Sequence, residues 1–241
     1  MIDFDRFFLI AGPCVIESYS HLKEVATHIN QITKKMGIQW VLKSSYDKAN
    51  RTSIDSYRGP GIGPGISKLS MVGRELGCPV TTDFHGVDEL AYYGTAVDIV
   101  QIPAFLCRQT PILKAAAGTQ RPVNVKKGQF IPHWGIPDIV RKLTDSGCGR
   151  VLITERGHQF GYNDVVVDFR RRWGDNNWLD VLDVTHTVQH WEESVPLARA
   201  GLGVGVNSLF CEVGSTKCDA NRSVPLDKFE EFVHGIGIPR D

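Results

Sequence analysis

With 241 residues, 42% of them hydrophobic and 22% charged, the chain carries enough apolar material for one sizeable core. Its 27 basic and 27 acidic side chains cancel to a formal net charge of +0, so no nucleic-acid or membrane partner is expected and any cationic function must be local. No apolar run approaches the ~18 residues of a membrane-spanning helix. The opening MIDFDRFFLIAGPC reads as no secretory signal, and the six cysteines read as reduced thiols of a cytoplasmic protein rather than a disulfide framework.

Strand and helix patterns alternate along the chain. A strand is expected at FFLIAG from residue 7, a helix at HLKEVATHINQITKKMG from 21 and a strand at WVLKSS from 40. A helix follows at GISKLSMVGREL from 65, then strands at PVTTDF from 79 and DIVQIP from 98. The helix RQTPILKAAAG from 108 precedes the strand PVNVKK from 122, and the helix IPDIVRKLTDSG from 136 precedes RVLITER from 150. RRRW at 170–173 reads as a solvated helix end. Strands at WLDVLDVTH from 178 and SLFCEV from 208 lead to a last helix, PLDKFEEFVHGIG, with proline at its start and glycine at its close. Eight strand–helix units in one domain, residues 1–241, predict an α/β fold of the closed (β/α)8 TIM-barrel type. An open doubly wound sheet is the runner-up. The glycine-rich GPGIGPG at 59–65 lies too far beyond its strand to be a dinucleotide fingerprint.

Barrel active sites are built at the carboxyl ends of the strands. Those ends read Cys14, Lys43, Asp83, Gln101, Lys126, Arg156, His186 and Glu212, each polar or metal-capable and each after an apolar run. Unpaired buried charge is expensive, so such endings predict one convergent mouth rather than many separate pairings. Lys43, Lys48, Arg51, Lys126 and Arg156, with Arg108 opening the fourth helix, concentrate positive charge in a neutral chain. Small polyanions are the natural target, and this many cations suit more than one anionic group. Asn50, Arg51, Thr52 and Ser53 add donors of the kind that wrap a terminal phosphate. A second constellation is Cys14, His186, Glu212 and Asp219, since the first, seventh and eighth barrel strands are neighbours and Asp219 follows the last. Its donors suit Zn2+, Fe2+ or Mn2+, although spacing alone says little and a buried cysteine is more often packing than ligand.

Several stretches resemble the 3-deoxy-D-manno-octulosonate 8-phosphate synthase family: IAGPCVIES at 10–18, KSSYDKANRTSIDSYRGPG at 43–61, QIPAFLCRQT at 101–110, VNVKKGQF at 123–130, ERGHQFGYNDVVVDFR at 155–170, DVTHTVQ at 183–189 and CEVGSTKCDANRSVPLDKFE from 211. The resemblance implies a (β/α)8 barrel, usually a cytoplasmic homotetramer of lipopolysaccharide biosynthesis, condensing phosphoenolpyruvate with D-arabinose 5-phosphate. It implies Lys126 and Arg156 as the phosphoenolpyruvate cradle, assisted by Lys48, Gln101 and the backbone near Phe105. Asn50, Arg51 and Thr52 match the sugar-phosphate contacts, and Arg108 matches an arginine that reaches in from a neighbouring subunit. Lys43, Asp83 and His186 fall at the reacting centre. Cysteine within IAGPCVIES marks the metal-dependent branch, with Cys14, His186, Glu212 and Asp219 as ligands to a divalent metal.

The pattern departs from that family in its covers. HWEESVPLARAG follows DVTHTVQ directly, without a longer glycine- and serine-rich loop, and VGSTK alone separates LFCE from Cys218 and Asp219. FHGVDEL follows TTD where the family reads closer to FHEP. Shortened active-site loops are therefore expected. The competing functions are the related heptulosonate synthase reaction with erythrose 4-phosphate, a Schiff-base aldolase using Lys126 or Lys43, and a non-catalytic phosphosugar-binding barrel. The block KANRTS, where heptulosonate synthases typically carry KPRTS, favours the longer sugar.

Overall fold

The computed structural model describes residues 2–160, 164–171, 173–174, 176–217 and 221–238. Eight parallel strands close into a barrel in the order β1 (Phe8–Gly12), β10 (Ser208–Glu212), β9 (Leu179–Asp183), β6 (Val151–Glu155), β5 (Val123–Lys126), β4 (Ile99–Ile102), β3 (Val80–Asp83) and β2 (Gln39–Lys43). Helices α1 (Tyr19–Met36), α2 (Ile62–Leu76), α3 (Val87–Tyr93), α4 (Thr110–Gly118), α5 (Ile136–Thr144), α6 (Ser194–Gly203) and α7 (Phe229–Ile236) form the crossovers and the final return. Each expected strand is found at its place, and the expected TIM-barrel class is the observed one. No helix among the described residues is long and apolar enough to cross a membrane.

Two apolar layers explain the closure. Leu22, Val25, Ala26, Ile29 and Ile32 recur at helical spacing and seat α1 on the strands. Ser18 caps that helix by accepting the His21 N–H at 3.1 Å, and Gly37 ends it with a left-handed φ of 69°. The outward-facing strand residues, Leu9, Leu42, Val100, Val125, Ile153, Leu182 and Leu209, join this helix–strand core. A separate cluster of Phe8, Ile10, Val41, Ile99, Leu152, Val181 and Phe210 fills the barrel lumen, floored by Ile2, Phe4 and Leu179. Because successive strand residues face opposite sides, a step of two from this layer fixes which side chains point into the mouth. From Val41 it leads to Lys43, from Ile99 to Gln101, from Val181 to Asp183 and from Phe210 to Glu212.

The sixth unit departs from the expected pattern. Among the described residues, the segment between β6 and β9 contains no helix; an antiparallel hairpin, β7 (His158–Phe160) and β8 (Asp164–Val166), stands there. RRRW is correspondingly not a solvated helix end. Arg171 is buried, its Nη2 donating at 2.8 Å to Asp180 Oδ1, with its guanidinium 3.4 Å above the Trp173 ring. Buried Asp180 also accepts from Gly174 N, Asn176 Nδ2 and Trp178 Nε1, so one carboxylate gathers the coil that replaces a helix. Arg172 lies outside the described residues.

Candidate active site

The carboxyl ends of the strands frame a cavity of about 490 Å3. Every residue singled out from the sequence lines it except Cys14, Ser53, Arg108 and Asp219. Cys14 is buried with its sulphur beside Lys48 and Glu212. Arg108 is exposed just before α4 and outside the lining. Asp219 lies outside the described residues, as does Cys218. Three of the expected strand ends lie past their strands: β1 stops at Gly12, two residues before Cys14, β9 at Asp183, three before His186, and β6 at Glu155, one before Arg156.

On one side of the mouth a belt of hydrogen bonds crosses four strands. Thr154 Oγ1 donates to Asn124 Oδ1 at 2.7 Å, and Asn124 Nδ2 to Gln101 Oε1 at 2.9 Å. Gln101 Nε2 then donates to Asp83 Oδ1. The other Asp83 oxygen accepts from Ser45 Oγ at 2.6 Å, and Ser45 Oγ in turn accepts from Lys43 Nζ at 3.0 Å. Burial alone would raise the Asp83 pKa, but the Lys43 and Lys48 charges overcome it and hold the carboxyl far below its usual range. Lys43 Nζ also stands 3.5 Å from Glu212 Oε1, which leaves its ammonium between two carboxylates.

On the opposite side Asp183 is the organiser. It is fully buried, pairs with Lys126, and accepts the backbone N–H groups of Thr185 and His186 at 3.0 and 2.9 Å. Lys126 Nζ sits 3.4 Å over the centre of the Phe210 ring. Burial pulls the Lys126 pKa down to about 8; Asp183 opposes that shift and Arg156 adds to it.

The loop after β2 supplies the outer wall. Arg58 forks onto Asp47, His85 Nε2 contacts the Asp47 carbonyl at 3.2 Å, and Tyr46 Oη donates to Glu89 Oε2 at 2.6 Å. Gly59, at φ 120°, lets this loop fold back, because a Cβ there would lie 2.3 Å from the Tyr46 carbonyl oxygen. Asn50, Arg51 and Thr52 are thereby held at the rim. Arg51 Nε and Nη2 and Arg156 Nε are buried without a hydrogen-bond partner among the described residues. Buried guanidinium donors left unpaired are costly unless a ligand takes them. With Lys43, Lys48 and Lys126 in the same lining, that ligand is anionic.

Sequence reasoning missed Asp183, Ser45, Phe210 and Arg222. A two-residue step from the lumen layer would have found Asp183, and Phe210 belongs to that layer itself. Arg222, on the segment after β10, lines the cavity and donates from Nη2 to Gln189 Oε1 at 3.0 Å, while Trp191 N donates to Asn221 O at 3.1 Å. These bonds clasp the segments after β9 and β10 together.

Glu212 is the centre of the donor set a cation would meet. Its side chain is fully buried, and neither carboxylate oxygen has a hydrogen-bond partner among the described residues. Burial opposes ionisation, yet Lys48, His186, Lys43 and the Cys14 thiol hold its pKa at about 2. His186 Nε2 faces Glu212 Oε1 at 3.7 Å. Among the described residues no three His, Cys, Asp or Glu side chains stand close enough to form a complete metal cluster. The donor types around Glu212, an ionised carboxylate with an imidazole and a thiol as neighbours, nevertheless suit a divalent ion chemically.

Comparison with known proteins agrees with this architecture. A 2-dehydro-3-deoxyphosphooctonate aldolase of Cyanothece sp. is 46% identical, across 97% of this chain and 92% of the relative. Proteins of the same name from Fusobacterium nucleatum and Desulfotalea psychrophila are 43% and 42% identical, across 91% and 93% of this chain and 84% and 86% of the relatives. The sequence model of the DAHP synthetase I family matches residues 3–236, from before β1 to the end of α7, and the chain belongs to that family.

Proposed function

We infer that the chain is a 3-deoxy-D-manno-octulosonate 8-phosphate synthase: it condenses phosphoenolpyruvate, D-arabinose 5-phosphate and water, releasing the eight-carbon keto-acid phosphate and inorganic phosphate. The observation that carries this reading is the mouth itself, where partnerless guanidinium donors of Arg51 and Arg156 line one cavity with Lys43, Lys48 and Lys126. Two phosphorylated reactants repel each other, and these cations offset that repulsion while fixing both in reacting position. Lys126 and Arg156, with Lys48, Gln101 and Phe105, receive phosphoenolpyruvate. Asn50, Arg51 and Thr52 receive the sugar phosphate.

The chemistry needs a new C–C bond from the enol carbon to the sugar aldehyde, a proton for the aldehyde oxygen, and water at the resulting cationic carbon before phosphate leaves. Lys43, linked through Ser45 to Asp83, delivers that proton; the Lys43 and Lys48 charges keep Asp83 ionised, and the belt to Gln101 and Asn124 keeps it oriented. Cys14, His186, Glu212 and Asp219 would hold a divalent ion (Zn2+, Fe2+ or Mn2+), which supplies Lewis-acid polarisation of the aldehyde or activation of the water. The Glu212 carboxylate, ringed by Lys43, Lys48 and His186 at 3.5–3.7 Å with the Cys14 thiol beside it, supports that assignment.

The enzyme works in the cytoplasm as a homo-oligomer, a tetramer, with Arg108 reaching a neighbouring mouth. Exposed Phe105 (59%), Phe130 (57%) and Trp134 (74%) supply apolar surface for such a contact. Shortened covers belong to this reading, and the ten-residue join of β9 to α6, residues 184–193, is compatible with them. The deciding experiment is phosphate release from phosphoenolpyruvate with a panel of sugar phosphates. Turnover with arabinose 5-phosphate is expected; preference for erythrose 4-phosphate would move the chain to the heptulosonate reaction, and binding without turnover would make it a phosphosugar-binding barrel.

A further inference from the structure

Behind the cavity, on the outer face of β5 and β6, lies an ion pair that the chemistry above leaves unused. Lys127 Nζ stands 3.1 Å from Glu155 Oε1, with 0% and 1% of the two side chains exposed. Lys127 directly follows Lys126, and Glu155 directly precedes Arg156. Alternate residues of a strand face opposite sides. Lys126 and Arg156 therefore line the cavity while their chain neighbours meet behind it.

The pair also closes both following loops. Lys127 Nζ donates to the carbonyls of Gly128, Ile131 and Gly157 at 3.1, 3.2 and 3.1 Å. Glu155 Oε1 accepts the Gly157 N–H at 2.7 Å, and Lys127 N donates to Thr154 O at 2.8 Å. As a stabiliser this is a poor choice, since a well-packed apolar pair of similar volume does as well or better than a buried ion pair. What an apolar pair cannot do is fix position by directional bonds. Position matters here because Lys126 and Arg156 are like charges that repel each other until an anion arrives.

We propose that the Lys127–Glu155 pair is a positioning device that fixes the separation of Lys126 and Arg156, so that one phosphoenolpyruvate can engage both cations. This rests on the assignment of those two cations to phosphoenolpyruvate. Neither Lys127 nor Glu155 touches substrate; both act through their neighbours.

The test uses the full chain with Lys127→Met/Glu155→Leu combined, Lys127→Arg and Glu155→Asp. Each is assayed for melting temperature and for KM toward each substrate separately. In the double variant the KM for phosphoenolpyruvate should rise on the order of 10- to 100-fold, as misplacement by about 1 Å can cost. The KM for arabinose 5-phosphate should stay within about twofold. The melting temperature should fall because the Gly128, Ile131 and Gly157 carbonyls and the Gly157 N–H lose their partners, a loss that does not by itself separate the two KM values. Lys127→Arg, which keeps the charge and the pairing to Glu155, should raise the KM for phosphoenolpyruvate less than the double variant does. An unchanged KM for phosphoenolpyruvate, or an equal rise for both substrates, overturns the proposal. If the double variant does not fold, Glu155→Asp decides by the same split between the two KM values. Wild-type protein that neither binds nor turns over phosphoenolpyruvate overturns the functional reading and this inference with it; normal wild-type turnover with no split overturns the inference alone.

Discussion

Asp183 grips His186 at two points: its Oδ1 accepts the His186 backbone N–H at 2.9 Å, and its Oδ2 stands 2.9 Å from the imidazole Nδ1. A carboxylate in that place fixes the orientation of the ring and turns Nε2 toward Glu212 Oε1. The same Oδ2 pairs with Lys126. One buried carboxylate thus orients a candidate metal ligand and neutralises a substrate-binding cation.

Asp183→Asn should therefore damage two functions at once. Removing one partner of a buried charge pair costs about 3–5 kcal/mol where the other charge stays buried, so Lys126 should shed its proton and lose its hold on anions. The expected outcome is a fall in kcat/KM for phosphoenolpyruvate of about 100-fold or more, with a lower melting temperature. Steady-state kinetics and thermal unfolding check this; a loss below threefold would show that Asp183 is not the organiser.

That residue also shows where sequence reading stopped. Lys43, Asp83, Gln101, Lys126 and Glu212 were legible because each closes an apolar run, and a charge there has few structural uses. Asp183 was hidden inside DVTH, which reads as strand through His186; the strand ends earlier because the Asp183 side chain bonds the next backbone N–H groups and turns the chain. Arg171 looked like surface because RRRW is dense in charge. Its burial depends on Asp180, reached only when the coil folds back. The hairpin after β6 was invisible for a similar reason: ERGHQFGYNDVVVDFR carries a family signature but little periodicity, and its pairing is antiparallel in a parallel fold. Lys127 and Glu155 meet across two strands, a contact that no local pattern reports.

Lys126 should give the reaction its alkaline limit. Burial lowers its pKa to about 8 in the free protein, with Asp183 opposing and Arg156 reinforcing the shift. Only the ammonium form attracts an anion, so phosphoenolpyruvate binding is complete below that value and weakens as pH rises through it. The profile of kcat/KM for phosphoenolpyruvate should break near pH 8 and approach a tenfold fall per unit above it, as expected for an essential acid of the free enzyme. Lys126→Arg, which stays charged, should remove the break at the expense of fit. A wild-type profile flat to about pH 9.5 would reject Lys126 as the titrating group.

Cys14→Ala tests the metal assignment. The thiol sits beside Lys48 and Glu212, and its removal should lower the divalent metal bound to the purified protein and the turnover in parallel. Elemental analysis and phosphate release are measured on the same sample, before and after chelation. Full activity of the variant after chelation would exclude the role of metal in this chain.

The last expectation concerns the backbone under the mouth. Gly12 closes β1 at φ 156°, and a Cβ built there would lie 2.0 Å from the Lys43 carbonyl oxygen and 3.1 Å from Leu42 Cδ1. Nothing flexible can yield, because β1 and β2 are paired in register from Phe8–Gln39 to Ala11–Leu42. Gly12→Ala must therefore push β2 outward, moving Lys43 away from Ser45, Asp83 and Glu212. Overpacking of this kind costs about 1–3 kcal/mol of stability, but turnover should fall by more than that figure implies, since Lys43 is the proton-handling group. Gly37→Ala is the control: Gly37 has a left-handed φ of 69° and open space around its Cβ position, so only backbone strain is added, far from the mouth. It should lose about 1–2 kcal/mol of stability with kcat unchanged. Denaturant midpoints and kcat measured side by side separate the two, and equal kcat values for both variants would show that the β1–β2 contact does not set the position of Lys43.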